Sequence, residues 1–246
     1  MNIIISNTKE ALGKAAAKNG AACLNKAIGE KGSANIIVAT GASQFEMLSN
    51  LIKTDVDWKK VSGFHLDEYI GISDTHPASF RKYLKERFVD KVPIKSFNYI
   101  NGESDPEKEC RRLNGKLKNL EIDVAFIGIG ENAHLAFNDP PANFDTLKPY
   151  KEVKLDEDCR RQQFDEGWFK SIDEVPAKAI SMSINQILKA KTIICSVPDE
   201  RKAQAIKGAV EGAISPRVPA SILQKHPYCW IYLDKDGSAK KLIKNS

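Results

Sequence analysis

Short runs of apolar, β-branched residues recur along this chain, and stretches with helical spacing of apolar side chains lie between them. The runs are Asn2–Ser6, Asn35–Ala39, Val61–Leu66, Phe97–Ile100, Val124–Gly128, Ala179–Ile184, Thr192–Val197 and Cys229–Leu233. Helices are expected over Thr8–Glu30, Gln44–Ile52, Ala78–Val89, Pro106–Leu120, Ile187–Ala190, Asp199–Glu211 and Ala220–Lys225. Near-continuous Val/Ile content, rather than strict alternation, marks strands covered on both faces. The expected class is therefore α/β, a mostly parallel sheet with helices on both faces. In such sheets ligands bind beyond the carboxyl ends of the strands, which directs attention to the residues just after each run.

The chain has 246 residues, the length of one large α/β unit, which can bury enough surface to need no disulfide or metal staple. Its five cysteines are scattered without CxxC spacing, so no disulfide framework or zinc site is expected. A net charge of +5 is mild and dispersed; it suits an anionic small molecule and falls short of a nucleic-acid footprint. No basic start leads into a long apolar stretch, and no run approaches a membrane span. A soluble, cytoplasmic protein without membrane or nucleic-acid partners is expected. The segment 138–168, which opens with Asn138–Pro149, is the candidate mobile lid, since Pro140 and Pro141 cannot extend a helix.

Three strand ends carry chemistry. Thr40, Gly41, Ala42 and Ser43 join a strand to a helix. Small residues there let backbone N–H groups approach an anion at the helix start, although a plain turn has the same composition. Gly63-Phe64-His65-Leu66-Asp67-Glu68-Tyr69 ends a strand in two acids. Partial burial would raise one carboxyl toward a useful base, and strand alternation would put His65 and Asp67 on one face. Helix capping is the competing use of such acids. Gly128-Ile129-Gly130-Glu131-Asn132-Ala133-His134 and Phe137-Asn138-Asp139 set a histidine between an amide and an acid. Imidazole suits proton transfer near neutral pH, and Asn132 and Asp139 could orient it. The Gly-x-Gly does not complete a dinucleotide fingerprint, because position 133 is Ala. Lys202, after another buried strand, could supply a point charge for a phosphate.

In order and spacing these segments resemble the glucosamine-6-phosphate deaminase (isomerase) family. The likeness runs from Thr40–Ser43 through Asp67-Glu68-Tyr69 and Gly128–Pro140 to Val175–Ile180, Arg201-Lys202-Ala203 and Val210-Glu211-Gly212. The resemblance implies a Rossmann-like sheet and cofactor-free conversion of glucosamine 6-phosphate to fructose 6-phosphate and ammonia. It implies Asp67 as the base at C2 and His134 as the ring-opening acid/base, oriented by Asn132 and Asp139. Thr40, Gly41, Ala42, Ser43, Gly130 and Lys202 would hold substrate. The family also uses an Arg after the lid, for which Arg160 and Arg161 are the candidates here. Members are often oligomeric, so a homo-oligomer is a further expectation.

Three departures stand out. Asn132 occupies a position that is Asp in some members. Asp139 replaces the usual Glu and is one methylene shorter. Ala133 replaces the usual Gly; if the backbone there has positive φ, alanine costs about 1 kcal/mol or more. Galactosamine 6-phosphate, the lactone of 6-phosphogluconate, or sugar-phosphate sensing without turnover are the alternative functions.

Overall fold

The computed structural model describes residues 1–242, so the end of the expected 1–246 unit lies outside the described residues. Seven strands form a wholly parallel sheet. Their order is β1 (Asn2–Ser6), β10 (Cys229–Asp234), β9 (Thr192–Val197), β6 (Val124–Ile127), β2 (Ala34–Val38), β3 (Val61–His65) and β5 (Ser96–Asn98). A second, antiparallel sheet has the order β4 (Asp67–Tyr69), β8 (Lys178–Met182), β7 (Tyr150–Lys154). The helices are α1 (Lys9–Lys31), α2 (Phe45–Leu51), α3 (Phe80–Arg87), α4 (Pro106–Leu117), α5 (Glu157–Asp165), α6 (Ile184–Leu188) and α7 (Ala203–Glu211).

Alternation along the parallel strands feeds two cores. Ile36, Val38, Val124 and Phe126 face one side, with α1, α2 and α3. Ile37, Ala125, Ile127 and Ile193 face the other, with α4, α6 and α7. A third, smaller cluster around Tyr69, Phe137 and Phe169 fills the space beneath α5. Local sequence sets the helix ends. Thr8 accepts from the Ala11 N–H and Gly32, at φ 78°, closes α1 onto Ile28 O; Asp105, Asp156 and Ser183 cap α4, α5 and α6.

The expected α/β class and mostly parallel sheet are present, with differences of detail. The stretch Ala220–Lys225 lies in a 3-10 helix over Pro219–Lys225, and α7 begins only at Ala203, after a 3-10 turn at Glu200–Lys202. The expected lid contains β7 and α5, and Asp67-Glu68-Tyr69 is itself a strand. Acid-rich DEY and Lys-rich YKEVK have weak strand propensity; pairing with the buried β8 overrides it. Among the described residues no helix is long and apolar enough to cross a membrane.

Helix α1 lies close to the sheet because its inward face is small: Ala16, Ala17, Gly20 and Ala21 are buried. A Cβ at Gly20 would collide with the Phe126 ring of β6. Gly20→Val is therefore expected to destabilise the protein by about 1–3 kcal/mol through overpacking. Urea unfolding checks this, and a midpoint equal to that of the wild type would refute the tight approach.

Candidate active site

From β2 the chain proceeds through β3 to β5 on one side, and from β6 through β9 to β10 on the other. The order therefore reverses between β2 and β6, and the carboxyl ends of these strands frame the crevice where α/β sheets bind ligands. The cavity there is lined by Thr40, Gly41, Ala42 and Ser43 after β2, by Asp67 after β3, and by Gly130 and His134 after β6. Lys202 after β9 completes the ring of expected residues. Gly41 holds φ 93°, a conformation natural to glycine, and its carbonyl accepts from Tyr83 Oη at 2.9 Å. Gln44 follows, fully buried, and donates to the carbonyls of Ile127 and Ser196, tying the ends of β6 and β9 to the loop.

Between β3 and β4 the chain changes sheets. Leu66 donates its N–H to Val38 O in the parallel sheet and accepts from Met182 N–H in the small one. The switch breaks the pleat, so the expected sharing of one face by His65 and Asp67 does not carry both to the cavity. His65 is fully buried, and its Nδ1 accepts from the Ile100 N–H at 3.4 Å. Burial, with Arg81 nearby, pushes it down to about 3, so it is neutral. Its role is packing.

Asp67 and Glu68 are both buried and differ in their partners. Glu68 accepts from the backbone N–H groups of Tyr69, Phe80 and Arg81 and from Ser79 Oγ, with Arg81 Nε 3.6 Å away. Burial pushes it up to about 7 against the pull of these donors, which need the carboxylate and stabilise it. The Asp67 carboxyl has no hydrogen-bond donor among the described residues. Burial, and then the Glu68 charge, raise it from 3.8 to about 8. The capping work thus falls to Glu68, and Asp67 is left facing the cavity.

The two glycines after β6 are close-approach sites. A Cβ at Gly128 would lie 2.9 Å from Gln44 Nε2, and one at Gly130 would overlap the Cε1–Nε2 edge of His134. The imidazole therefore lies flat against the Gly130 backbone, whose N–H donates to His134 O. Ala133 has φ 67°, the positive φ foreseen at this departure, and Ala136 has φ 51°. Each non-glycine residue there is strained by roughly 1 kcal/mol or more. On the far side of the ring, Asp139 Oδ1 lies 3.2 Å from His134 Nδ1. Asn132 accepts from the His134 N–H through Oδ1 and donates through Nδ2 to Asp139 at 3.3 Å. Burial opposes ionisation of Asp139, but His134, the Asp156 N–H and Asn132 outweigh it and hold the carboxyl below its usual range. The shorter acid thus still reaches the histidine.

Lys202 is buried, with Nζ 3.9 Å from Glu131 Oε1; burial lowers its pKa, and Glu131 and Glu166 oppose that. The two arginine candidates lie elsewhere. Arg160 donates to the carbonyls of Ile172 and Val175, and Arg161 is exposed; neither lines the cavity. The segment expected to be a lid instead presents Gln162, Gln163 and Glu166. Gln162 accepts from the Glu131 N–H and donates to Glu166, and Gln163 accepts from Tyr69 Oη at 2.6 Å. A loop reading of the lid hid these residues. A helical turn after the Asp156 cap, with 162, 163 and 166 on one face, was the available signal.

The family described as glucosamine-6-phosphate isomerases/6-phosphogluconolactonase matches residues 7–230. A glucosamine-6-phosphate deaminase of Lactobacillus delbrueckii subsp. bulgaricus is 36% identical over 245 residues, covering 99% of this chain and 100% of that protein. Among solved structures, a monomeric glucosamine-6-phosphate deaminase superposes with TM-score 0.88 at 31% identity, covering 98% of this chain and 99% of that one. The 6-phosphogluconolactonase of Trypanosoma brucei superposes with TM-score 0.80 at 15% identity, covering 98% of each chain, a likeness of fold alone.

A buried acid raised to about 8 makes stability depend on pH in a defined direction. Between pH 3.8 and about 8 the native chain holds a proton at Asp67 that the unfolded chain has lost. Stability from this group is therefore full below that window and declines as pH rises through it. Asp67→Asn removes the decline. At pH 8.5 the variant should be the more stable by at least about 1 kcal/mol, roughly 2–4 °C in Tm, with the advantage shrinking toward pH 4. A calorimetric difference independent of pH would refute the assignment.

Proposed function

The chain belongs to the glucosamine-6-phosphate isomerase/6-phosphogluconolactonase family, and from that membership we propose that it converts glucosamine 6-phosphate and water to fructose 6-phosphate and ammonia. The observation that carries this reading is the cavity itself: Asp67, a buried carboxyl without a donor among the described residues, and the imidazole of His134 line one space with the loop at 40–43 and Lys202.

The phosphate sits against Thr40–Ser43, where the start of α2 favours an anion, with Lys202 as its counter-charge. His134 passes a proton between the ring oxygen and O1 and so opens the pyranose to the aldehyde; its imidazolium is stabilised by Asp139, and Asn132 fixes the loop through the His134 N–H. Opening makes the C2 proton acidic. Asp67, as carboxylate, removes it and redelivers it at C1, giving the ketose-level imine. Water then adds at C2 and ammonia leaves. Each positioned acid or base contributes roughly 10²–10⁴-fold. Phosphate anchoring holds C2 against Asp67 and removes much of the entropic barrier.

The free volume of about 70 Å³ is small for a hexose phosphate, since ligand sites commonly offer about 300 Å³ or more. Helix α5 and its neighbours therefore move outward to admit substrate, and the segment 138–168 works as a lid. The family context and the mild positive charge fit a cytoplasmic metabolic enzyme with a small anionic substrate. A relative of the same fold is a monomer, so the homo-oligomer expectation gains no support from it.

Asp67→Asn should abolish ammonia release while fructose 6-phosphate still binds; wild-type turnover would remove Asp67 from the mechanism. Because the base must be ionised and burial holds it near 8, kcat/KM of the wild type should climb as pH rises toward about 8 and level off above it. A profile flat from pH 6 to pH 9 would contradict this. Limited proteolysis within 138–168 should slow when fructose 6-phosphate is present, and unchanged cleavage would count against a lid.

A further inference from the structure

The His134–Asp139 pair has a third neighbour that the proposed chemistry does not use. Cys159, in the first turn of α5, is 1% exposed, and its N–H donates to the Asp156 cap. The donor atoms of His134, Asp139 and Cys159 all lie within 4.8 Å of one another. His134 is 8% exposed, and its buried Nδ1 has no aligned hydrogen bond despite the nearby Asp139 oxygen. An imidazole nitrogen, a carboxylate and a sulfur grouped together are the donor set of a borderline-soft divalent cation. His134 and Asp139 lie five residues apart and Cys159 follows twenty residues later, a spacing that matches no ligand motif.

We propose that His134, Asp139 and Cys159 form a three-ligand site for zinc(II) that shuts the enzyme off from behind the catalytic ring. Tetrahedral zinc keeps its donors about 3.5 Å apart at Zn–N and Zn–O near 2.1 Å and Zn–S near 2.3 Å. The donors, all within 4.8 Å of one another, have to draw together by side-chain rotation to reach that spacing, and water takes the fourth place. Binding releases the Cys159 thiol proton to solvent and places zinc on the Nδ1 lone pair. His134 then keeps its proton on Nε2 and has no lone pair left to accept another, so it cannot complete a give-and-take at the sugar ring. The carboxylate of Asp139 is likewise diverted from the imidazolium. Zinc approaches from the Asp139 side, whereas the Nε2 edge lies against Gly130 at the cavity. Inhibition is therefore expected in kcat, with KM little changed.

The inhibitory consequence rests on the deaminase reading; the site itself does not, so metal binding is measured first and apart from turnover. Calorimetric titration of the tag-free chain with zinc chloride should show one equivalent bound, and cobalt(II) should give a sulfur-to-metal charge-transfer band. Cys159→Ser should lose that band and weaken zinc binding by about tenfold or more, as should Asp139→Asn read by binding alone. Wild-type thermal unfolding of Cys159→Ser confirms that the fold is intact. In the activity assay zinc should depress kcat of the wild type, chelator should restore it, and Cys159→Ser should keep basal kcat within about twofold while resisting zinc. Zinc binding that is unchanged in Cys159→Ser, or a cobalt complex without a sulfur band, overturns the site. Binding as expected without any effect on ammonia release overturns the inhibitory role alone.

Discussion

Two consecutive carboxyls are buried where one strand leaves a sheet and enters another, and the fold treats them in opposite ways. Burying a charge is tolerated only when donors replace the lost water. Glu68 receives three backbone N–H groups, a hydroxyl and a nearby guanidinium, and in return fixes the start of α3 against β4. Asp67, one residue earlier and on the opposite side of the strand, has none among the described residues and opens onto the cavity. The unpaired carboxyl thus arises by exclusion: the residue beside it has taken the stabilising contacts, and the strand change at Leu66 keeps it from turning back into the main sheet.

The opposite wall is built by close approach. Gly128 admits the Gln44 amide and Gly130 admits the imidazole, so the Gly-x-Gly pattern here serves packing around a histidine instead of cradling a dinucleotide. The positive φ at Ala133 and Ala136 is the strain that this loop carries, and contacts on both sides hold it. Ala133 donates to Gly130 O and accepts from the Ala220 N–H, which ties the loop to the 3-10 helix after α7. Strained backbone fixed by surrounding contacts is what precise placement of a proton-transfer group requires.

Much of this was legible in the sequence. The eight apolar runs correspond to seven parallel strands and β8, because continuous Val/Ile content has few other uses in a buried sheet. The loop residues at 40–43, the acid at 67 and the histidine at 134 could be singled out as candidates, and they line one cavity, because strand ends are where such folds place their crevice. What escaped was whatever tertiary pairing decides. Strands β4 and β7 exist through β8, not through their own propensity, and without them the change of sheet that separates His65 from Asp67 is invisible. The arginines failed for a related reason: Arg160 satisfies the carbonyls of Ile172 and Val175, a demand set by how α5 packs rather than by residue type.

The charge left in the cavity follows from that failure. With neither arginine at hand, Lys202 is the expected cation that lines it, and Glu131 and Glu166 lie near enough to support its charge against burial. Glu131 also pairs with Arg201 at 3.2 Å, so the lysine shares its carboxylate and is not locked to it. On the proposed reading, an arriving phosphate has to replace carboxylates that already compensate the lysine, and the exchange is favourable only when the loop N–H groups at 41–43 add their share. Because Glu166 and Gln162 reach the cavity from α5 and its end, the proposed outward movement of that helix would free Lys202 as it widens the space. On that proposal, substrate entry and the unmasking of the phosphate counter-charge are a single motion.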